Sequence, residues 1–275
     1  MSFDPSLPKE GVNVSGAHPL REAVLLVAAV AGAGALLVVA AAAAVDPLIR
    51  HLPPELEVKL FSGAWMGGSG PGEQAEADPR AEGLQELLGR LERHWTGNPY
   101  RCRVVVWEQE APNALALPGG QILVTTGLLQ QVESENELAF VLAHELGHFR
   151  NRDHLRGLGR GLALALVMAA VGASGAGSAA ELATVAAQLA ERGFDREQER
   201  SADDFGLALV ASEYGNVAGA VDFFERLPGT PGEVGEQIAS YLSTHPVNRE
   251  RVDALLRAAG EEGWATSGEL RPLPY

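Results

Sequence analysis

Val141-Leu142-Ala143-His144-Glu145-Leu146-Gly147-His148-Phe149-Arg150 is the stretch from which the rest of the chain is read. Two histidines four apart fall one above the other on a helix, close enough to hold one metal ion. Glu145 lies beside them and can take a proton from a water held by that ion, the arrangement of an H-E-x-x-H motif. The flanks agree with a helix: Ser134 and Glu137 are spaced as a capping box, and Leu138, Val141, Leu142 and Leu146 recur at helical intervals.

Downstream, a zinc ion used in catalysis needs three protein ligands and an open position. Two residues compete for the third place. His154 stands ten residues after His144, but position 151 is Asn, where a sharp turn favours Gly. Glu199 lies in Glu199-Arg200-Ser201-Ala202-Asp203, on a helix that Asp195 and Gln198 are spaced to cap. Glu199 and Asp203 share one face there, which supplies a carboxylate ligand and, one turn on, an acceptor for the far N–H of a ligating histidine. This pairing favours Glu199; His154 then reads as a surface residue among Arg150, Arg152 and Asp153.

Upstream, Asn113-Ala114-Leu115-Ala116-Leu117 is extended, Pro118-Gly119-Gly120 is a turn, and Gln121 to Thr125 is a strand. An edge strand placed just before a metal-binding helix can hold a peptide by main-chain hydrogen bonds, irrespective of its side chains. Arg101 to Trp107 reads as a further strand. Asp78 and Pro79 open an amphipathic helix carrying Leu84, Leu87, Leu88 and Leu91.

Residues 1–21 form a polar tail. From Ala23 to Val45 no charge occurs over a length that matches the bilayer core, so residues 22–45 are expected to be one transmembrane helix, attached to membrane lipid. Lys9 and Arg21 before it balance Arg50 and Lys59 after it, which leaves its orientation open. Residues 46–77, with the run Gly67-Gly68-Ser69-Gly70-Pro71-Gly72, are expected to be a linker, and 78–275 a single domain. Gly161 to Val171 is apolar but short of a comfortable span, which suggests a buried or interfacial helical hairpin. The chain is acidic, with 36 Asp+Glu against 21 Lys+Arg and a net charge of -15, and has no basic run suited to nucleic acid. Its one cysteine, Cys102, excludes an intrachain disulfide and a thiolate zinc cluster.

Four segments in order, NALALPGGQILVTTGLL, SENELAFVLAHELGHFRNRDH, ERSADDFG and STHPVNRERV, resemble the membrane-associated zinc metallopeptidases of gluzincin type that include HtpX-type proteases, CAAX prenyl proteases and BepA-type proteases. The resemblance implies an α+β, mainly helical, zincin-like domain with a small β-sheet and a substrate-binding edge strand. It further implies one Zn2+ per chain held by His144, His148 and Glu199, with Asp203 behind a ligand. Glu145 would be the base, and Asn113 and Ala114 would lie on the substrate-binding strand. His245 would come from a His-Pro motif near the active site, followed by Arg251; as a donor, His245 would suit the oxyanion of amide hydrolysis. The substrates implied are misfolded or membrane-linked polypeptides, and the location a bacterial inner membrane. The many spans of the CAAX proteases are lacking here, so prenyl-protein processing is not expected. Two other functions fit the residues: a zinc-binding scaffold that assembles membrane proteins without cutting them, and a zinc hydrolase of non-protein amides.

Overall fold

The structure, a computed structural model, describes residues 19–61, 78–170, 195–226, 245 and 249–275. The polar tail up to residue 18, the glycine-rich spacer, the return of the expected hairpin and Pro246 lie outside the described residues.

The chain begins with α1 (Pro19–His51) and α2 (Pro54–Phe61). It continues through α3 (Ala81–Glu92), β1 (Arg103–Trp107), β2 (Ala114–Leu117), β3 (Gln121–Thr125), α4 (Thr126–Gln131) and α5 (Glu135–Asn151). Then follow α6 (Asp153–Ala170), α7 (Arg196–Tyr214), α8 (Asp222–Arg226) and α9 (Arg249–Glu261). The fold is mostly helical with a small mixed sheet, as the sequence implies.

The sheet has the order β1-β3-β2, with β1 and β3 parallel and β2 antiparallel to β3. One outer edge is closed by a side chain: Gln85 of α3 accepts from Val104 N at 2.9 Å and donates to Cys102 O at 3.0 Å. The other edge is β2, which carries no further strand among the described residues. Unpaired edges are where a chain recruits another strand. The tight reversal between β2 and β3 needs positive φ at two positions, and Gly119 and Gly120 provide it at 92° and 85°.

The leucines of α3, which starts at Ala81 instead of Asp78, pack with Val104, Val106, Ile122 and Val124 onto Phe140, Leu142, Leu146 and Phe149 of α5. Asp78 bonds Arg80 instead of capping the helix. α5 is buried on every side from Glu135 to Phe149, because the sheet, α3 and α7 all press on it. Ser134 caps it by accepting from Glu137 N at 3.2 Å, while the Glu137 side chain reaches one residue further back, to Glu133 N.

α7 approaches α5 closely. A Cβ on Gly147 would lie 2.6 Å from Ala202 Cα, and one on Gly206 would lie 3.1 Å from His144 N. A glycine on one side of each contact lets the two backbones come this near. The expected capping box of α7 is present in full, Asp195 accepting from Gln198 N and Gln198 Oε1 accepting from Asp195 N, both at 3.0 Å.

α1 is long and apolar enough to cross a bilayer, and the window of highest hydropathy in it is not buried against the rest of the chain. It runs past Val45 to His51, and its last turns pack on α6 through Val45, Ile49 and Leu155. Arg160 Nη2 meets Asp46 Oδ1 at 3.2 Å across the same contact. Within the stretch read as linker, α2 is folded, and its Glu57 is buried.

Candidate metal centre

His144 and His148 project from α5 toward α7, and Glu199, in the first turn of α7, meets them. His144 Nε2 lies 3.1 Å from His148 Nε2. Glu199 Oε1 is 3.4 Å from His148 Nε2, and Oε2 is 3.6 Å from His144 Nε2. His245 completes the group: its Nδ1 is 3.2 Å from His144 Nε2 and 3.1 Å from Glu199 Oε1. All four residues are buried, and their donor atoms lie within 4.8 Å of one another.

Each imidazole of α5 is held from behind by a carboxylate. His144 Nδ1 is 2.9 Å from Asp203 Oδ1, and His148 Nδ1 is 3.0 Å from Asp153 Oδ2. A carboxylate accepts and does not donate, so both Nδ1 atoms carry hydrogen and both Nε2 atoms turn their lone pairs toward the same point. Two such lone pairs 3.1 Å apart, facing a carboxylate, need a positive charge between them, a metal ion or a proton. Tetrahedral zinc with ligand bonds of about 2.0–2.1 Å separates its donors by about 3.3–3.4 Å. The observed separations of 3.1–3.6 Å fit that requirement.

Without a metal ion, a proton on His148 fills that place. Burial works against a charge on His148, but Asp153 and Glu199 prevail and raise its pKa to about 9. Burial pushes Glu199 up, yet the charge of His245 and the bonds from His148 and His245 bring it well below the usual carboxylate range. His144 is pushed down by burial, which Asp203 opposes. Asp203 is itself lowered in spite of burial by Arg251, whose Nε and Nη2 grip its two oxygens at 2.8 and 2.7 Å. Arg251 Nη1 also stands 2.5 Å from Glu199 Oε2, so α9 braces both Glu199 and Asp203 of α7.

Glu145 is fully buried between the histidines and the sheet. Its Oε2 accepts from Ala116 N of β2 at 2.8 Å, and its Oε1 has no hydrogen-bond partner among the described residues and lies 3.5 Å from His245 Nε2. Asn113 sits where β2 begins. Its carbonyl accepts from Thr125 N at 3.0 Å, and its side chain accepts from Ala114 N at 2.9 Å. The N–H groups of Ala114 and Ala116 thus turn away from β3, onto the outer edge.

The structure brings together all the site residues singled out in the sequence: His144, Glu145, His148, Glu199, Asp203 and His245 cluster, with Asn113 and Ala114 along the adjoining edge. Two readings change. His154 is not a surface residue: it is buried, with Nε2 2.8 Å from Glu57 Oε1, because α6 turns it inward toward α2. Asp153, which the spacing along α5 does not mark, is the residue behind His148, held in turn by Gln198 Nε2 at 2.8 Å. Its signal in the sequence is a carboxylate five positions after a candidate ligand, which matters only once the helix ends between them.

Comparison with known proteins gives a consistent picture. The profile described as Peptidase family M48 matches residues 80–259. The mitochondrial metalloendopeptidase OMA1 of Arabidopsis thaliana is 34% identical over 155 residues, covering 56% of this chain and 31% of its own length. A protease HtpX homolog of Desulfatibacillum aliphaticivorans is 30% identical, covering 62% of this chain and 67% of its own. The metalloprotease LoiP of Escherichia coli is 27% identical, covering 66% and 72%. The chain spans between 31% and 42% of the length of the OMA1 relatives from Arabidopsis thaliana, Schizosaccharomyces pombe and Danio rerio.

Proposed function

Because the chain belongs to peptidase family M48, we propose that it is a zinc-dependent endopeptidase, anchored in a membrane by α1, that cuts unfolded or membrane-linked polypeptides in protein quality control. The observation that carries the proposal is the convergence of His144 Nε2, His148 Nε2 and the Glu199 carboxylate beside a buried Glu145 and the open edge of β2.

His144, His148 and Glu199 would hold the zinc, with His245 near enough to join them. Bound there, zinc supplies Lewis-acid chemistry, polarising a carbonyl and acidifying water. Glu145 takes the proton as the water attacks and passes it to the departing amine. Ala116 N–H keeps the Glu145 carboxylate facing the edge strand, so one strand both fixes the base and receives the substrate. A peptide laid along β2, displacing the Asn113 side chain from Ala114 N while Ala116 N stays with Glu145, is recognised by its backbone, which suits substrates defined by being unfolded more than by their sequence. Turned away from the ligand group, His245 would donate to the oxygen of the tetrahedral intermediate. A scaffold without catalysis gives no use for the second Glu145 oxygen, buried without a hydrogen-bond partner among the described residues. The membrane we propose is a bacterial inner membrane, which fractionation of the tagged chain tests.

Purified full-length chain loaded with zinc is expected to degrade casein, to stop when a chelator is added and to resume with equimolar zinc. Zinc-loaded protein that cleaves no unfolded polypeptide would refute the proposal.

A further inference from the structure

Glu57 lies in α2, outside the group of candidate metal ligands, yet it is 0% exposed. A buried carboxylate is costly unless its lone pairs are filled, and here four donors fill them. Oε1 meets His154 Nε2 at 2.8 Å and accepts from Gly119 N at 3.2 Å, while Oε2 accepts from Tyr100 Oη at 2.9 Å and from Arg152 Nη2 at 3.2 Å. Burial pushes the carboxyl up, but His154, Gly119 and Tyr100 together bring it down to about 2. These donors come from separate parts of the domain: the end of the metal-binding helix, the start of α6, the approach to β1 and the turn of the β2–β3 hairpin.

Arg152 is the other half of the junction. It ends α5 in the left-handed region, at φ 61° and ψ 32°, and is the one residue other than glycine with positive φ among those described. Glycine takes this conformation without steric penalty, whereas arginine does not. What arginine adds is a guanidinium that reaches α1: Nη1 donates to Ile49 O at 2.8 Å and to Leu52 O, carbonyls at the end of that helix, while Nη2 goes to Glu57. The next residue, Asp153, holds His148 from behind. Two consecutive residues therefore connect the end of α1 to an imidazole of the metal centre, and Gly119 connects the same carboxylate to the strand edge.

We propose that Glu57 and Arg152 are positioning residues for the hydrolysis, through which the membrane-side segment α1–α2 fixes the metal-binding helix and the β2–β3 hairpin against each other. The consequence for catalysis rests on the peptidase reading; the consequence for binding does not. A tie made only for stability has no reason to land on both the metal-binding helix and the β2–β3 hairpin, or to put a left-handed arginine at the end of that helix.

The test uses full-length protein in detergent, with Arg152→Gly and Glu57→Gln each placed in a Glu145→Gln background so that peptide is bound and not consumed. Zinc affinity is read by competition with a chromophoric chelator, and peptide affinity by the anisotropy of a labelled, unfolded casein fragment. Arg152→Gly relaxes the left-handed residue and so spares folding; it is expected to weaken zinc about tenfold. Glu57→Gln is nearly isosteric and carries the test should the first variant not fold; it is expected to weaken zinc and peptide each by about fivefold or more. Val217→Ala, a truncation remote from the junction, is expected to lower the melting temperature without moving either affinity. A folded variant of either residue that leaves both affinities within about twofold of the parent overturns the proposal. If the affinities fall as expected while the chain with native Glu145 cleaves nothing, the junction stands and the peptidase reading fails.

Discussion

Glu145 has one oxygen fixed by Ala116 N and the other buried, facing the histidines. Replacing it by Gln keeps the shape and removes the base, so Glu145→Gln is expected to lose at least about a hundredfold in kcat while binding zinc as before. A second prediction concerns Asp153. Its removal as Asp153→Asn leaves His148 without an anionic partner on Nδ1, and zinc affinity is expected to fall by about 10–100-fold, measured by chelator competition. His245→Ala should weaken zinc more mildly, because three donors stay in place. At this scale the sequence was legible wherever a role follows from spacing along a helix: His144, His148, Glu199 and Asp203 all obey the four-residue repeat. Asp153 and His154 were not, because both lie beyond Arg152, and a left-handed residue turns the chain in a direction that helical counting does not anticipate. His245 was reached through a resemblance, since a lone histidine far along the chain has no local pattern to mark it.

The site depends on how closely two helices pack. Gly147 and Ala202 let α5 and α7 approach until Glu199 reaches the histidines, and an added methyl would meet Ala202 O at 2.8 Å as well as its Cα. Gly147→Ala is therefore expected to push α7 away, costing about 1–3 kcal/mol of stability in urea unfolding, and to weaken zinc binding more than its loss of stability explains. A variant as stable as the parent with unchanged zinc affinity would mean the contact is not what sets the ligand distance. Helix and strand identities were legible from periodicity and from the Pro118-Gly119-Gly120 turn. Which side of α5 is buried was not, because Leu138, Val141, Leu142 and Leu146 define one apolar face while sheet, α3 and α7 enclose the helix entirely. The short α2 escaped notice for a related reason: eight residues are too few to display a period, and Glu57 in them looks like any surface carboxylate until its four donors are in view.

Across the molecule, the charge balance of the centre links folding to metal. His148, raised from an ordinary 6.5 to about 9, binds a proton more tightly folded than unfolded. The stability from that proton is complete below about pH 6.5 and is lost as pH rises through about 9, so chelator-treated protein is expected to melt at lower temperature across that window. Zinc must displace the same proton, and its affinity is expected to rise over the same range, by up to about tenfold per pH unit. Heat denaturation and chelator competition at matched pH read the two opposite slopes. The long apolar helix and the peptidase family were legible from hydropathy and motif order; the junction at Arg152 and Glu57 was not, since it joins residues about a hundred apart that share no local pattern. The account as a whole rests on one convergence, and a crystal structure of zinc-loaded protein, phased on the anomalous signal at the zinc edge, tests it most directly. It predicts a single peak within about 2.0–2.2 Å of His144 Nε2, His148 Nε2 and a Glu199 oxygen; a peak bound elsewhere, or one that leaves Glu199 out of reach, would contradict it.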